Sequence, residues 1–345
     1  MVNKHIVINK HPDEHYSTYF NQKSGLFLRL EDKGFNEPLY SLHGPELLDI
    51  SITNWCDKEC TFCYRGSNQF GSNMSLQNYS HIISQAGALG VLQVALGGGN
   101  PNQHPDFGEI LRITREQNNI VPSYTTNGRG LTSKILQASK KYCGAVAVSY
   151  YLPNNAFCSS LKLLKDNGIR TNVHFLLHAE SLNTAISWLQ APPAFLTGIN
   201  ALIFLNYKPI GPGKKPDLVL NKAKNLGKFF KLINNGVFPF KLGFDSCSVS
   251  GIVRHLQVNP SLYDFCDGAR FSAYISEDLR MFPCSFMSEK YSGEDLKRKS
   301  LTQIWKNSHL FKKYREHSPK GQCIDCSKYY LCRGGCNLMH KINLC

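Results

Sequence analysis

Thirteen cysteines, unevenly spread, constrain this chain more than any other feature. Cys56, Cys60 and Cys63 form one tight group, eight more lie between Cys247 and Cys345, and only Cys143 and Cys158 fall in the middle. The number is odd, and Met1–Lys10 has no apolar stretch of the kind that directs export. A disulfide framework is therefore not expected, and clustered thiols in a reducing, cytoplasmic setting point to metal or redox chemistry. No apolar run approaches the roughly 18–20 residues of a membrane helix; Ala145–Leu152 is about the longest. At 345 residues the chain has room for one large domain and a smaller one.

Between the cysteine groups runs a regular alternation. Leu48–Thr53 reads as a strand and leads into the first cysteine loop. Leu76, Tyr79, Ile82, Ile83, Ala86 and Leu89 then recur at helical spacing. Leu92–Leu96 is a strand ending in Gly97-Gly98-Gly99. Phe107, Ile110, Leu111 and Thr114 mark a helix, and Val121–Thr126 a strand ending at Asn127-Gly128. Helices over 132–142, 156–166 and 182–190 alternate with strands over 145–151, 171–177 and 201–206. Six such units predict an α/β fold with parallel strands, and about 200 residues suit an incomplete (β/α)6 barrel better than a closed eightfold one. The cysteine loop, the glycine run and Asn127 all fall at C-terminal strand ends, where such folds carry their chemistry. A Lys-rich helix is expected over 217–234, and from Lys241 the pattern changes to short strands, loops and cysteines. The expected division is a short segment 1–47, a barrel 48–240 and a cysteine-rich domain 241–345.

The first loop reads Cys56-Asp57-Lys58-Glu59-Cys60-Thr61-Phe62-Cys63, spacing C-x3-C-x2-C. Three thiolates on one loop can hold three corners of a cubane cluster and leave one iron open to a small molecule. Structural zinc, the alternative, usually has four ligands, often as two separated pairs, and no fourth ligand is near in sequence. The loop resembles the C-x3-C-x-φ-C signature of the radical S-adenosylmethionine (SAM) superfamily, with Phe62 as φ. The resemblance covers roughly residues 48–240. It implies a partial barrel in which SAM binds the open iron of a [4Fe-4S] cluster. It also implies that Gly97, Gly98, Gly99, Asn100 and Pro101 form the glycine-rich motif meeting the methionine amine. Asn127 and Ser149 become candidate contacts to methionine or ribose.

The tail, Cys323-x2-Cys326-x5-Cys332-x3-Cys336-x8-Cys345 preceded by Cys266 and Cys284, resembles the SPASM domain of radical SAM enzymes that modify peptides and proteins. The resemblance implies a distal auxiliary [4Fe-4S] cluster on Cys323, Cys326, Cys332 and Cys345. A proximal one would use Cys266, Cys284 and Cys336, with Cys247 or an open iron completing it. Three clusters in all are implied. A zinc-ribbon-like tail is the alternative reading. Two departures stand out: Leu279 replaces the glycine usual five residues before the second cysteine, and the gap from Cys266 to Cys284 is long.

From this resemblance the expected reaction is reductive cleavage of SAM to a 5′-deoxyadenosyl radical, which abstracts hydrogen from a residue of a ribosomally made precursor peptide. The expected product is a C–C, C–S or C–O cross-link. Epimerisation is a rival, with Cys158 or Cys143 as hydrogen donor. Protein oxidation of the anaerobic sulfatase-maturase kind is another, opposed by Ser285 where those enzymes resemble one another in having Asp. Asp245 is the candidate base, and Tyr150, Tyr151, His174 and Lys208 are further candidates near substrate. A flavodoxin- or ferredoxin-type reductant is an expected partner. Residues 1–47 are too short for a winged-helix leader-binding domain, so leader recognition falls to this segment, the barrel rim or a separate protein. A formal charge of +14 would suit an acidic leader. An electron carrier or RNA-binding protein is the non-enzyme alternative; charge alone supports the latter, and no nucleic-acid module is recognisable.

Overall fold

The structure, a computed structural model, describes residues 5–151, 155–316 and 321–345. Leu152, the end of the longest apolar run, lies outside the described residues.

Seven parallel strands make the barrel wall: β4 (Leu47–Thr53), β5 (Gln93–Gly98), β6 (Val121–Thr126), β7 (Val146–Tyr150), β8 (Thr171–Leu177), β9 (Ala201–Asn206) and β10 (Lys241–Phe244), adjacent in that order. Helices α1 (Leu76–Ala88), α2 (Phe107–Arg112), α3 (Ser133–Tyr142), α4 (Asn155–Asp166), α5 (Leu182–Gln190) and α6 (Leu226–Asn235) connect them. Period-2 alternation sends Leu48, Ile50, Ile52, Val94, Leu96, Val148, Val173 and Phe175 outward into one core with the helices. The opposite face of the same strands carries Asp49, Ser51, Gly97, Thr125, Ser149 and His174, a small and polar lining. Ser75 and Thr132 cap α1 and α3 by accepting from Asn78 N and Ile135 N, which explains where those helices start.

The parallel ladder runs past residue 240, because β10 pairs with β9 from Lys241↔Ala201 to Phe244↔Phe204. Four residues with a glycine among them are too short for a periodic signal. At the other edge, β11 (Ser272–Ile275) pairs parallel to β4, and β12 (Arg280–Phe282) and β13 (Glu294–Asp295) follow antiparallel. Strands of the cysteine-rich region thus extend the barrel sheet to ten. The remaining helices are α7 (Val249–His255), α8 (Leu301–Asn307), α9 (His309–Arg315) and α10 (Tyr329–Cys332). The expected Lys-rich helix over 217–234 is two short 3-10 turns and then α6, so the regular helix starts only at Leu226, after Asn225.

The segment before residue 47 is more than a preface. Strands β1 (Ile6–His11), β2 (Tyr16–Asn21) and β3 (Phe27–Glu31) form an antiparallel sheet. Phe20 packs on Leu92 and Val121, at the starts of β5 and β6. Asn9 Nδ2 donates to Gly90 O (2.9 Å), and Arg170 to Lys23 O (2.7 Å). This sheet therefore covers the N-terminal ends of the barrel strands, roughly 20 Å from their C-terminal ends at 3.3 Å per residue. Arg29 ties it further, bonding Glu46 (2.8 Å) and Asp264 (2.5 Å) and lying 3.7 Å over the Phe271 ring.

Candidate active site

The first cysteine loop begins where β4 ends, and the ends of β5 and β6 hold it. Gly99 N donates to Thr53 O (2.7 Å) and Asn100 N to Trp55 O (3.0 Å). A Cβ on Gly98 or Gly99 would stand 1.9 Å from Thr53 O or Trp55 O, so two of the three glycines let the chain approach itself. Only Gly97 opens onto free space, where a ligand could lie.

Asp57 is the hub of this arrangement, and it escaped the sequence reading. Its carboxylate accepts from Asn127 Nδ2 (2.8 Å) and Gln103 Nε2 (3.2 Å), and lies 3.6 Å from Arg129. Asn127 Nδ2 also lies 3.7 Å from Cys56 Sγ. Asn100 is buried, its Oδ1 accepting from Thr126 Oγ1 and Asn127 N (3.0 Å each), so it braces the glycine motif against the Asn127 turn. Pro101 is buried at the start of a 3-10 turn. Phe62 sits against His178 (5.0 Å) and Tyr207 (5.6 Å). Gly213, after β9, lies where a Cβ would come 2.1 Å from Thr61 O, so the 208–213 loop rests on the cysteine loop. Ser149 bonds Tyr151, and Ser149, His174, Ile203 and Gly243 share one register row.

The sequence candidates part company here. Tyr151 stays at the loop, with Lys58 Nζ 5.1 Å over its ring. Tyr150 turns away into an aromatic cluster with Phe175 and Trp188. His174 accepts or donates at Thr125 Oγ1 (3.4 Å), and burial pushes its imidazole down to about 4 although Asp245 opposes this. Asp245 itself is fully engaged: it pairs with Lys208 and accepts from Ser248 Oγ (2.8 Å) and Asn206 N (3.2 Å). These donors hold the carboxylate in place. Burial opposes the Lys208 charge most, but Asp245, Cys247 and Cys336 together raise the ammonium above its ordinary value. Asp49, missed because a lone acid in a strand carries no pattern, faces the barrel interior. Burial alone pushes its carboxyl up to about 6.

Cys247 follows β10 and Cys284 follows β12, on opposite sides of the open barrel. They come together with Cys266 and Cys336. The Cys247 thiol bonds Cys336, raising the first and lowering the second, and Cys284 feels the charge of both Cys266 and Cys247. Lys208 Nζ lies 4.8 Å over Phe286, and Phe286 meets Tyr64 at 4.6 Å, linking this set to the first loop. Cys323, Cys326, Cys332 and Cys345 line a separate cavity of about 190 Å³. Cys143 and Cys158 instead pack against the core from the helix side.

These residues fit iron–sulfur clusters better than zinc. Burial lifts the thiols, Cys60 and Cys266 to about 11 each, so ionised sulfurs gathered here need a cation. Backbone N–H groups of Lys58, Gly268, Phe286 and Gly334 each bond the sulfur of the cysteine two residues earlier, the kind of bond that tunes clusters. Tetrahedral zinc would draw sulfurs to about 3.8 Å of one another. Among the described residues, no three cysteine sulfurs lie within even 4.8 Å.

The radical SAM superfamily profile matches residues 50–153, and that of the SPASM iron–sulfur cluster-binding domain matches 266–327. This chain is a radical SAM enzyme with a SPASM domain. It is related to peptide maturases, and its cofactors are SAM and [4Fe-4S] clusters that include auxiliary ones. The mycofactocin maturase MftC of Mycobacterium tuberculosis is 22% identical over 316 residues, covering 86% of this chain and 79% of its own. Streptococcus suis SuiB, solved bound to SAM, superposes with a TM-score of 0.74 at 16% identity over 97% of this chain and 95% of its own. A second SuiB structure holds the precursor peptide SuiA. The peptide-bound anSMEcpe gives 0.62 at 16% identity, over 84% of this chain and 88% of its own. Cys247, Cys332, Cys336 and Cys345 lie outside the SPASM match.

Proposed function

We propose that this radical SAM/SPASM enzyme cross-links a ribosomally made precursor peptide, and that it carries three [4Fe-4S] clusters. Cys56, Cys60 and Cys63 would hold the SAM cluster, Cys247, Cys266, Cys284 and Cys336 the proximal one, and Cys323, Cys326, Cys332 and Cys345 the distal one. The observation that supports the reading best is that Cys247, Cys266, Cys284 and Cys336, from separate elements, come close enough to perturb one another's thiols, as a proximal set with four protein ligands would require. A cluster so enclosed suits electron transfer better than substrate binding. When bound, SAM and its cluster supply a radical able to take hydrogen from unactivated carbon, and the auxiliary clusters supply an outlet for the second electron.

The chain's own residues do the positioning. Gly97 leaves room at the end of β5, and Asn127 and Asp57 fix the loop beside it. Ser149 and His174 line the interior, His174 as a neutral imidazole at pH 7. A groove of about 350 Å³ between Tyr64, Arg65, Gly211, Pro212, Lys214, Ser288 and Glu289 gives an extended peptide a way in beside the cysteine loop. Arg65 and Lys214 line it but are paired with Glu277 and Glu289, so an acidic segment would have to displace those partners to meet them. The N-terminal sheet lies at the other end of the barrel, so the groove is the better place for a leader. A small flavodoxin or ferredoxin would serve as reductant.

Epimerisation draws no support from the cysteines: Cys143 and Cys158 pack on the outside of the sheet, away from the interior. The test is anaerobic. Reconstituted protein should hold about 12 irons, the sum for three cubanes, release 5′-deoxyadenosine from SAM on reduction, and convert a short peptide encoded nearby to a product lighter by two hydrogens. A product of unchanged mass with an inverted residue would overturn the cross-link, and about 8 irons would remove one cluster from the count.

A further inference from the structure

Away from all three cysteine groups, the N-terminal sheet carries a cluster that the proposed chemistry leaves unused. His11 ends β1, Glu14 lies in the turn that follows, and His43 comes from the loop leading into β4. One ligand atom from each lies within 4.8 Å of the other two. The Glu14 carboxylate is buried; it accepts from Leu42 N (2.8 Å) and lies 2.5 Å from His43 Nδ1. His11 is only 8% exposed, stacks on Tyr16 at 4.5 Å and meets the His43 ring edge-on at 5.0 Å. Neither of its ring nitrogens has a hydrogen-bond partner.

The contact between His43 and Glu14 accounts for two of these residues. It leaves His11 unexplained, because a buried imidazole always has at least one N–H to satisfy and an orphaned polar group is costly. A cation between the three groups answers all of them at once.

We propose that His11, Glu14 and His43 bind a divalent transition metal, with zinc as the ion best suited. Two imidazoles and one carboxylate are a recurrent zinc ligand set, with a water in the fourth position. Such sites bind Zn²⁺ ahead of Fe²⁺. The half-exposed His43 gives the ion a path in. The ion would join β1 to the 41–46 loop. That loop also receives the Trp305 indole N–H at Ser41 O (2.7 Å) and the Arg29 guanidinium at Glu46, so the site would fasten the N-terminal sheet to both the barrel and the C-terminal region.

The experiment uses full-length, cluster-loaded protein equilibrated anaerobically with a small excess of Zn²⁺, desalted, and assayed for zinc and iron per chain. Wild type should retain one zinc more than His43→Ala or Glu14→Gln at matched iron. Affinity should fall at least about tenfold in either variant, and Zn²⁺ should raise the melting temperature of wild type alone. His43→Ala alters a half-exposed ring and should fold normally, so it decides the matter even if Glu14→Gln also loses iron. Equal zinc in wild type and His43→Ala at matched iron, or none retained by either, overturns the site.

Discussion

The two cysteine sets of the C-terminal region have the same ligand type but are ordered in different ways. The proximal set is placed by packing: Cys247 and Cys284 leave the ends of β10 and β12, and Asn343 Oδ1 accepts from Cys336 N (3.0 Å). Tyr314 lies 3.7 Å from Cys266 Sγ. The distal set sits at the surface, with Cys326 and Cys345 exposed, and only Cys332 is anchored, against Val249 and Val253 of α7. Where few apolar groups are buried, metal binding has to provide the folding free energy. Iron removal by an anaerobic chelator should therefore open 321–331, with hydrogen exchange there rising at least about a hundredfold while β4–β10 and the buried stretch around Cys336 and Ile342 keep their protection. If 321–331 stays protected, the contrast between the sets is false.

The next largest effect should come from the brace of the proximal set. Lys208 and Asp245 form a buried pair beside Cys247, and breaking such a pair on one side typically costs about 3–5 kcal/mol. Asp245→Asn should lower the unfolding free energy of cluster-loaded protein by that order, and Lys208→Met with Asp245→Leu should recover most of it. Denaturant melts, read beside iron content, check this. A variant that loses product formation but melts within about 0.5 kcal/mol of wild type would favour Asp245 as a base over its structural role.

This contrast also marks what the sequence could reveal. The six strands from Leu47 to Asn206 were legible because each alternates or runs apolar between turn signals, and the cysteine loops because their spacing is itself the signal. Convergence around Asp57 was not legible, because it bonds residues 46 and 70 positions away, whereas the meeting of Cys247 with Cys336 could be expected only through the family resemblance. The N-terminal sheet was hidden because its apolar residues do not mark the covered face: Ile8, Leu28 and Leu30 lie on the exposed one, where a solvated strand would carry charge.

If packing orders the barrel side, a buried charge there should be tolerated only at a cost when unpaired. Asp49 supplies that case. Its carboxyl, at about 6 against an ordinary 3.8, holds its proton more tightly folded than unfolded. The stability this brings is complete below pH 3.8 and is lost as pH rises through 6. Asp49→Asn escapes the loss. It should be more stable than wild type above pH 7 by up to about 3 kcal/mol, with the gain vanishing near pH 4. Melting curves at the two pH values test the sign; an advantage that does not shrink at low pH would mean that charge burial is not its source.

The smallest effect concerns the hairpin that delivers Cys284 to the proximal set. Leu279 closes the turn between β11 and β12, with its N–H on Ser276 O (3.0 Å) and φ at +68°, a conformation that favours glycine. A left-handed leucine costs about 1–2 kcal/mol, yet its side chain is buried in the main core. Deleting a buried leucine typically costs about 2–5 kcal/mol. Burial outweighs strain, so Leu279→Gly should destabilise by a net of about 1–2 kcal/mol while leaving the iron content unchanged. A glycine variant as stable as wild type would show that the turn, rather than the core contact, sets the position of Cys284, and that the proximal set is less dependent on packing than its burial implies.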